Sequence, residues 1–192
     1  MLPFDPPLPA GLQCAWLAHR HGEAAEPLVR AWLGERLACP PEAVVLSRDA
    51  RGRPRLAHPA IDVNWAHSGD GLLAASGEGL RVGIDLERLH ARPRALELAR
   101  RFFAASECDW LLAQPATARD TAFLRLWCAK EAVLKAHGHG LSFGLHRLVF
   151  VERDGALQLA DADPALGGAA DWTLREFVPH AGYRAALAWR PG

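Results

Sequence analysis

Polar and apolar residues alternate through "IDVNWAHS" (61–68) and "VGIDLE" (82–87), the period-two signature of strands. Strands are also predicted over 12–19, 43–47, 71–79 and 80–87, and in the tail at about 146–152, 156–160, 172–177 and 182–189. Residues 24–38 carry helical periodicity and stop before "CPP". "RDARGRPRL" (48–56) reads as a turn-rich basic loop. From Arg94 to His137 the period becomes helical, in three pieces broken near Ala105 and Pro115. Strands with a helix, then helices, then strands predict an α+β fold with largely antiparallel pairing and two related halves. The "RP" at 92–93 is the expected boundary, dividing 1–91 from 92–192.

Two segments place charge where the pattern calls for apolar residues. In "VGIDLE", Val82, Ile84 and Leu86 face one way and Gly83, Asp85 and Glu87 the other. A bare D-x-E fits an exposed strand face, but a strand glycine also lets a ligand or another backbone come close. In "LRLWCAKEAVLKAHGHG" (124–140), Leu124, Trp127, Cys128, Leu134 and Lys135 fall within about sixty degrees of Glu131 on a helical wheel. The opposite side carries Leu126, Ala129, Val133 and Ala136, so the helix is apolar nearly all round, as a buried helix is. An i,i+4 Glu-to-Lys pair is a common structural device. In apolar surroundings, however, desolvation can exceed its Coulomb gain, and a site explains the charges better. Asp85, Glu87 and Glu131 together would make an all-oxygen nest for a hard divalent cation such as magnesium, with Lys135 meeting a phosphate. His67 closes a strand beside Gly69, and Arg53 stands on a loop between glycine and proline, where a guanidinium can grip phosphate.

Bulk properties narrow the classes. The 192 residues suffice for one sizeable core, and 22 basic residues balance 22 acidic ones, which speaks against nucleic-acid binding by bulk charge. The proline-rich start is expected to be neither a signal peptide nor a membrane span, and no later stretch reaches eighteen apolar residues. The four cysteines show no metal-ligand spacing and read as reduced thiols of a cytoplasmic protein.

The order of the motifs is more specific than any one of them: G-R-P (52–54), N-W-A-H-S (64–68), G-I-D-L-E (83–87), R-F-F-A-A-S-E (101–107) and W-C-A-K-E-A-V-L-K (127–135). This series resembles the Sfp-type phosphopantetheinyl transferases over about residues 24–145. The resemblance implies two pseudo-symmetric halves with coenzyme A between them. It implies transfer of the phosphopantetheine arm to a serine of an apo acyl- or peptidyl-carrier protein, releasing adenosine 3',5'-bisphosphate. By similarity Asp85, Glu87 and Glu131 hold magnesium, Glu131 is the base for the serine, and Lys135 meets the pyrophosphate. Arg53 and His67 match positions near the coenzyme A phosphates. The sequence departs from the pattern at Ala66, where the family has serine, and at Arg53, where it often has lysine. The N-terminal segment is short, leaving Arg20, His21 and Arg30 as the available basic residues.

The rival readings are a metal-dependent nuclease, which usually sets its E-x-K on a strand, and an inactive coenzyme A or carrier-binding module. A chain holding both halves is expected to be a monomer. Residues 88–106 hold Arg88, Arg92, Arg94, Arg100 and Arg101 against Glu97 alone, and predict a dock for an acidic carrier with Phe102 or Phe103 completing the contact.

Overall fold

A computed structural model describes residues 2, 4 and 7–192; residues 1, 3, 5 and 6 of the proline-rich start lie outside the described residues. The elements are β1 (Leu12–Ala18), α1 (Ala25–Leu37), β2 (Leu46–Arg48), β3 (Pro54–Leu56), β4 (Ile61–Ser68), β5 (Gly71–Glu78) and β6 (Leu80–Arg88). There follow α2 (Ala95–Phe102), α3 (Ala105–Ala113), α4 (Arg119–His137), β7 (Leu148–Arg153), β8 (Ala156–Ala162), β9 (Thr173–Phe177) and β10 (Tyr183–Pro191). The three helical pieces fall where Ala105 and Pro115 place their breaks. The second strand does not: the prolines at 40 and 41 wind Pro41–Ala43 into a 3-10 turn, with the Ala43 amide donating to the Pro40 carbonyl at 2.9 Å, and pairing starts only at Leu46. The last third of the expected basic loop is strand β3, paired to β2 across a turn closed by Gly52 at φ 82°.

All the strand pairs are antiparallel. The fold is α+β, and its chain path repeats. The first unit runs β1, helix α1, ribbon β2–β3, β4 and β5, in the sheet order β1-β5-β4. The second runs β6, helices α2–α4, ribbon β7–β8, β9 and β10, in the order β6-β10-β9. Each sheet is thus ordered first, last, penultimate. The expected division at 91/92 falls inside the second unit, between β6 and α2, because β6 hydrogen-bonds to β10.

The two sheets share one apolar layer: Leu12, Cys14, Leu73 and Ala75 meet Val82, Ile84, Leu86 and the β10 residues Ala185, Leu187 and Trp189. Helix α1 covers the outer face of the first sheet over Val63 and Ala74. Helix α4 lies on the outer face of the second, over Ala186 and Ala188. A polar ladder joins β4 to β6. The Val82 amide donates to Asp62 (2.8 Å), the Ile84 amide to Asn64 (3.1 Å) and the Arg88 amide to the Ser68 hydroxyl (3.1 Å), always twenty residues apart. The rung opposite Leu86 would fall to Ala66, whose methyl cannot accept a hydrogen bond.

Gly83 fixes how closely α4 approaches β6. A Cβ there would fall on the Ala132 carbonyl and the Ala136 amide, and 2.9 Å from the Ala136 Cα, all helix backbone that cannot step aside. The strand glycine therefore admits another backbone. Gly83→Ala is expected to cost about 1–3 kcal/mol by overpacking, measured by urea melts; an unchanged midpoint would contradict this contact.

No helix among the described residues is long and apolar enough to cross a membrane. All four cysteines are free thiols; burial pushes the Cys14 thiol up to about 12.

Candidate active site

The alternation in β6 turns Gly83, Asp85 and Glu87 toward α4, while Val82, Ile84 and Leu86 enter the layer between the sheets. From α4, Glu131 and Lys135 come down onto the same strand. Lys135 Nζ donates to Asp85 Oδ1 at 2.5 Å. Asp85 and Glu131 are buried, at 5% and 7% exposure, and Asp85 Oδ2 and Glu131 Oε1 have no hydrogen-bond partner among the described residues. Such orphaned oxygens are costly unless a ligand completes them.

Electrostatics ties the cluster together. Burial, then the Asp85 charge, push the Glu131 carboxyl up to about 7, against a partial pull from Lys135. Burial and Asp85 also raise Glu87. Lys135 is held above its ordinary value by Asp85 and Glu131, which outweigh its burial. Glu87 is half-buried and accepts from Arg92 Nη2 at 2.6 Å and from the Ser68 hydroxyl at 3.5 Å. His67, at the end of β4, is exposed and packs on the His19 ring, centroids 5.6 Å apart. Its pKa is lowered by partial desolvation of the ring, then by His19 and Lys135; the next residue, Ser68, bonds Glu87 and so sets the end of β4 beside the same cluster. Asp85, Glu87, Glu131, Lys135 and His67 therefore converge where α4, β6 and the end of β4 meet.

Arg53 stands apart from them in kind. Its guanidinium is buried and all five of its donors are engaged. Nε donates to the Lys135 carbonyl (2.9 Å), Nη1 to Pro54 O (3.2 Å) and Asp62 Oδ1 (2.8 Å), and Nη2 to Asp62 Oδ2 (2.5 Å) and Val82 O (3.1 Å). The Lys135 carbonyl is among those the end of α4 leaves unpaired, and α4 terminates at Gly138 with φ 92°. Arg53 thus pins the end of the helix to β6 and has no donor left for a phosphate. Beside it opens a cavity of about 200 Å³, lined by Arg48, Arg51, Trp65 and Lys135 among others.

The arginine run after β6 is also altered by its partners. Arg92 is taken up by Glu87, and Arg94 by Glu97 at 2.7 Å. Phe103 is core rather than surface, 6% exposed and stacked on Phe123 at 5.4 Å. Arg100 and Arg101 remain exposed.

Sequence reasoning missed the pair that frames this site. Lys130 is fully buried and bonds Glu107 Oε2 at 2.7 Å. It also donates to the carbonyls of Leu145 (2.9 Å) and Leu148. Glu107 accepts in turn from the amides of Ala104 and Phe150, both at 2.9 Å. The signal was present: K-E on a helix that is apolar all round must send one charge to each face, and "FFAASE" supplied the partner.

The cation question turns on this donor set. Among the described residues no group of three or more His, Cys, Asp or Glu side chains is arranged to hold a metal ion, and Lys135 and Arg92 stand on Asp85 and Glu87. Three mutually repelling carboxylates with two buried, unpartnered oxygens nevertheless fit a hard, oxygen-seeking cation.

The model of the 4'-phosphopantetheinyl transferase superfamily matches residues 81–188. The 4'-phosphopantetheinyl transferase psf-1 of Bacillus pumilus is 38% identical over 62% of this chain and 51% of its own length. The 4'-phosphopantetheinyl transferase HetI of Nostoc sp. is 33% identical over 90% of this chain and 73% of its own. The chain thus spans about half the length of the Bacillus pumilus relative. A solved structure, the holo-[acyl-carrier-protein] synthase of Thermotoga maritima, is 23% identical over 57% of this chain and 61% of its own, with a TM-score of 0.45, too loose a likeness to bear on function.

Proposed function

Because the chain belongs to the 4'-phosphopantetheinyl transferase superfamily, we propose that it moves the 4'-phosphopantetheine arm of coenzyme A onto a serine hydroxyl of an apo acyl- or peptidyl-carrier protein. The observation that carries this reading is Glu131: a buried carboxylate with an unpartnered oxygen beside the Lys135–Asp85 pair.

In the proposed reaction the serine oxygen forms a bond to the pantetheine-side phosphorus, and the bond from that phosphorus to the bridging pyrophosphate oxygen breaks. Glu131, ionised when the cation is bound, takes the serine proton as general base. Lys135 stabilises charge on the leaving oxygen, which departs on the 5'-phosphate of adenosine 3',5'-bisphosphate. His67, which feels the Lys135 charge, would face the coenzyme A phosphates. Arg53 serves by position, holding the end of α4 against β6, while Arg48 and Arg51 line the adjoining cavity and take the anionic end of coenzyme A. Asp85, Glu87 and Glu131 would hold magnesium, which supplies Lewis-acid neutralisation of the pyrophosphate when bound. Arg100 and Arg101 remain the proposed dock for an acidic carrier. A monomer in the cytoplasm accords with both units lying in one chain and with four free thiols.

Neither rival reading gains an observation. Glu131 and Lys135 stand on a helix rather than on a nuclease-like strand, and the full set of charged groups exceeds what a binding module needs. The proposal is tested by following adenosine 3',5'-bisphosphate. Its release should require coenzyme A and apo carrier together; release from coenzyme A alone would indicate a hydrolase instead.

The magnesium assignment predicts a pH dependence. The folded protein favours protonated Glu131, so stability present below the usual 4.5 is lost as pH rises through about 7. A cation that needs the ionised carboxylate expels that proton and binds more tightly across the same window. Magnesium is expected to raise the melting temperature more at pH 8 than at pH 5.5 in the parent, and with a smaller difference between the two in Glu131→Gln, where only the raised Glu87 remains to titrate. A pH-independent rise in the parent would remove Glu131 from the ligand set.

A further inference from the structure

A second cavity, of about 340 Å³, lies at the opening end of β6. Arg55, His58 and Arg81 line it together with the apolar Leu56, Ile61 and Leu80. Asp85 lies four residues further along the strand, roughly 13 Å at 3.3 Å per residue. The Arg53–Asp62 pair stands between the two cavities, since Arg53 lines one and Asp62 the other.

Arg81 is the unexplained group. It is half-buried, its Nη1 is buried without a partner, and among the described residues its side chain makes no hydrogen bond or ion pair. Directly opposite it in the β6–β10 pair is another arginine, Arg190. Like charges facing across an antiparallel pair are destabilising. Arg190 has its own partners, the Leu166 carbonyl at 2.9 Å and the Trp172 ring at 4.9 Å. Burial, then Arg53 and Arg55, push the Arg81 pKa down, and Arg190 adds to this. The acid acting against them is Asp62, whose two oxygens are already bonded to Arg53. Four guanidiniums, Arg53, Arg55, Arg81 and Arg190, stand against two spoken-for carboxylates, Asp62 on Arg53 and Asp49 on Arg55 at 3.3 Å, which leaves a local positive surplus with the Arg81 side chain unpaired. His58 adds a donor: its Nδ1 faces the Ala60 amide at 3.3 Å, which leaves Nε2–H free.

We propose that this cavity binds a phosphate monoester, the phosphate held between the Arg81 and Arg55 guanidiniums and the organic group on Leu56, Ile61 and Leu80. Planar guanidiniums bind phosphate through paired charge-assisted hydrogen bonds, and a dianion between Arg81 and Arg55 would remove the repulsion that the fold otherwise carries. The apolar wall favours an ester over the free ion. The site is separate from the one proposed for transfer and does not depend on that proposal.

Titration calorimetry of the whole chain with phenyl phosphate, at constant ionic strength, tests it. Saturable binding is expected, at least about tenfold tighter than inorganic phosphate. Arg81→Met should weaken it at least about tenfold and Arg55→Met should also weaken it. Lys135→Ala should leave it unchanged. Without ligand, Arg81→Met should melt no lower than the parent, because the change relieves the Arg81–Arg190 opposition. Absence of saturable heat overturns the proposal, as does binding indifferent to Arg81→Met or abolished by Lys135→Ala. If Arg81→Met melts well below the parent, the argument from repulsion is wrong; should that variant not fold, indifference to Arg55→Met overturns the site.

Discussion

Lys130→Ala is expected to cost about 3–5 kcal/mol of stability, the largest loss of any single substitution in this region. The ammonium is wholly buried, and its removal strands the Glu107 carboxylate among Phe103, Phe150 and the helix backbone. It also unties three segments at once, because Lys130 and Glu107 together hold α3, α4 and the stretch entering β7. A buried charge keeps its desolvation penalty after its partner has gone, so the loss exceeds that of an ordinary hydrogen bond. Urea titration with constant m-value measures it. A change below about 1 kcal/mol would mean that Glu107 escapes to solvent and that the pair does not frame the site.

The second large effect is chemical. Glu131→Gln preserves shape and removes the base, so turnover is expected to fall about 10²–10⁴-fold. Coenzyme A affinity should change far less, because the group acts chiefly in the transition state. The variant should also be no less stable than the parent above pH 7, since it relieves an ionised carboxylate raised by burial and by Asp85. Parallel measurement of kcat and of coenzyme A binding separates the two roles; equal losses in both would make Glu131 a binding residue.

The alternation in "VGIDLE" made the two faces of β6 legible, and the wheel of α4 made Glu131 and Lys135 stand out, because both arguments rest on period alone. Period says nothing of partners distant in sequence. Lys130 was read past because its counter-charge lies at 107, and Arg53 looked like a phosphate grip because its acceptors lie at 62, 82 and 135. Phe103 was assigned to a surface that its stacking on Phe123 precludes. The repeat of chain path was invisible as residues because it lies in strand order, and the "RP" at 92–93 drew the boundary one strand too late.

The most direct test of the central claim, that the meeting of α4, β6 and β4 is a phosphopantetheine-transfer site, is the mass of an apo carrier protein after incubation with coenzyme A, magnesium and the enzyme. The parent should add one phosphopantetheine to the carrier, and folded, coenzyme A-binding Glu131→Gln should leave it apo over the same interval. An unmodified carrier with the parent, across a panel of the host's own apo carriers, would contradict the claim, and so would a Glu131→Gln variant that modifies the carrier at the parental rate.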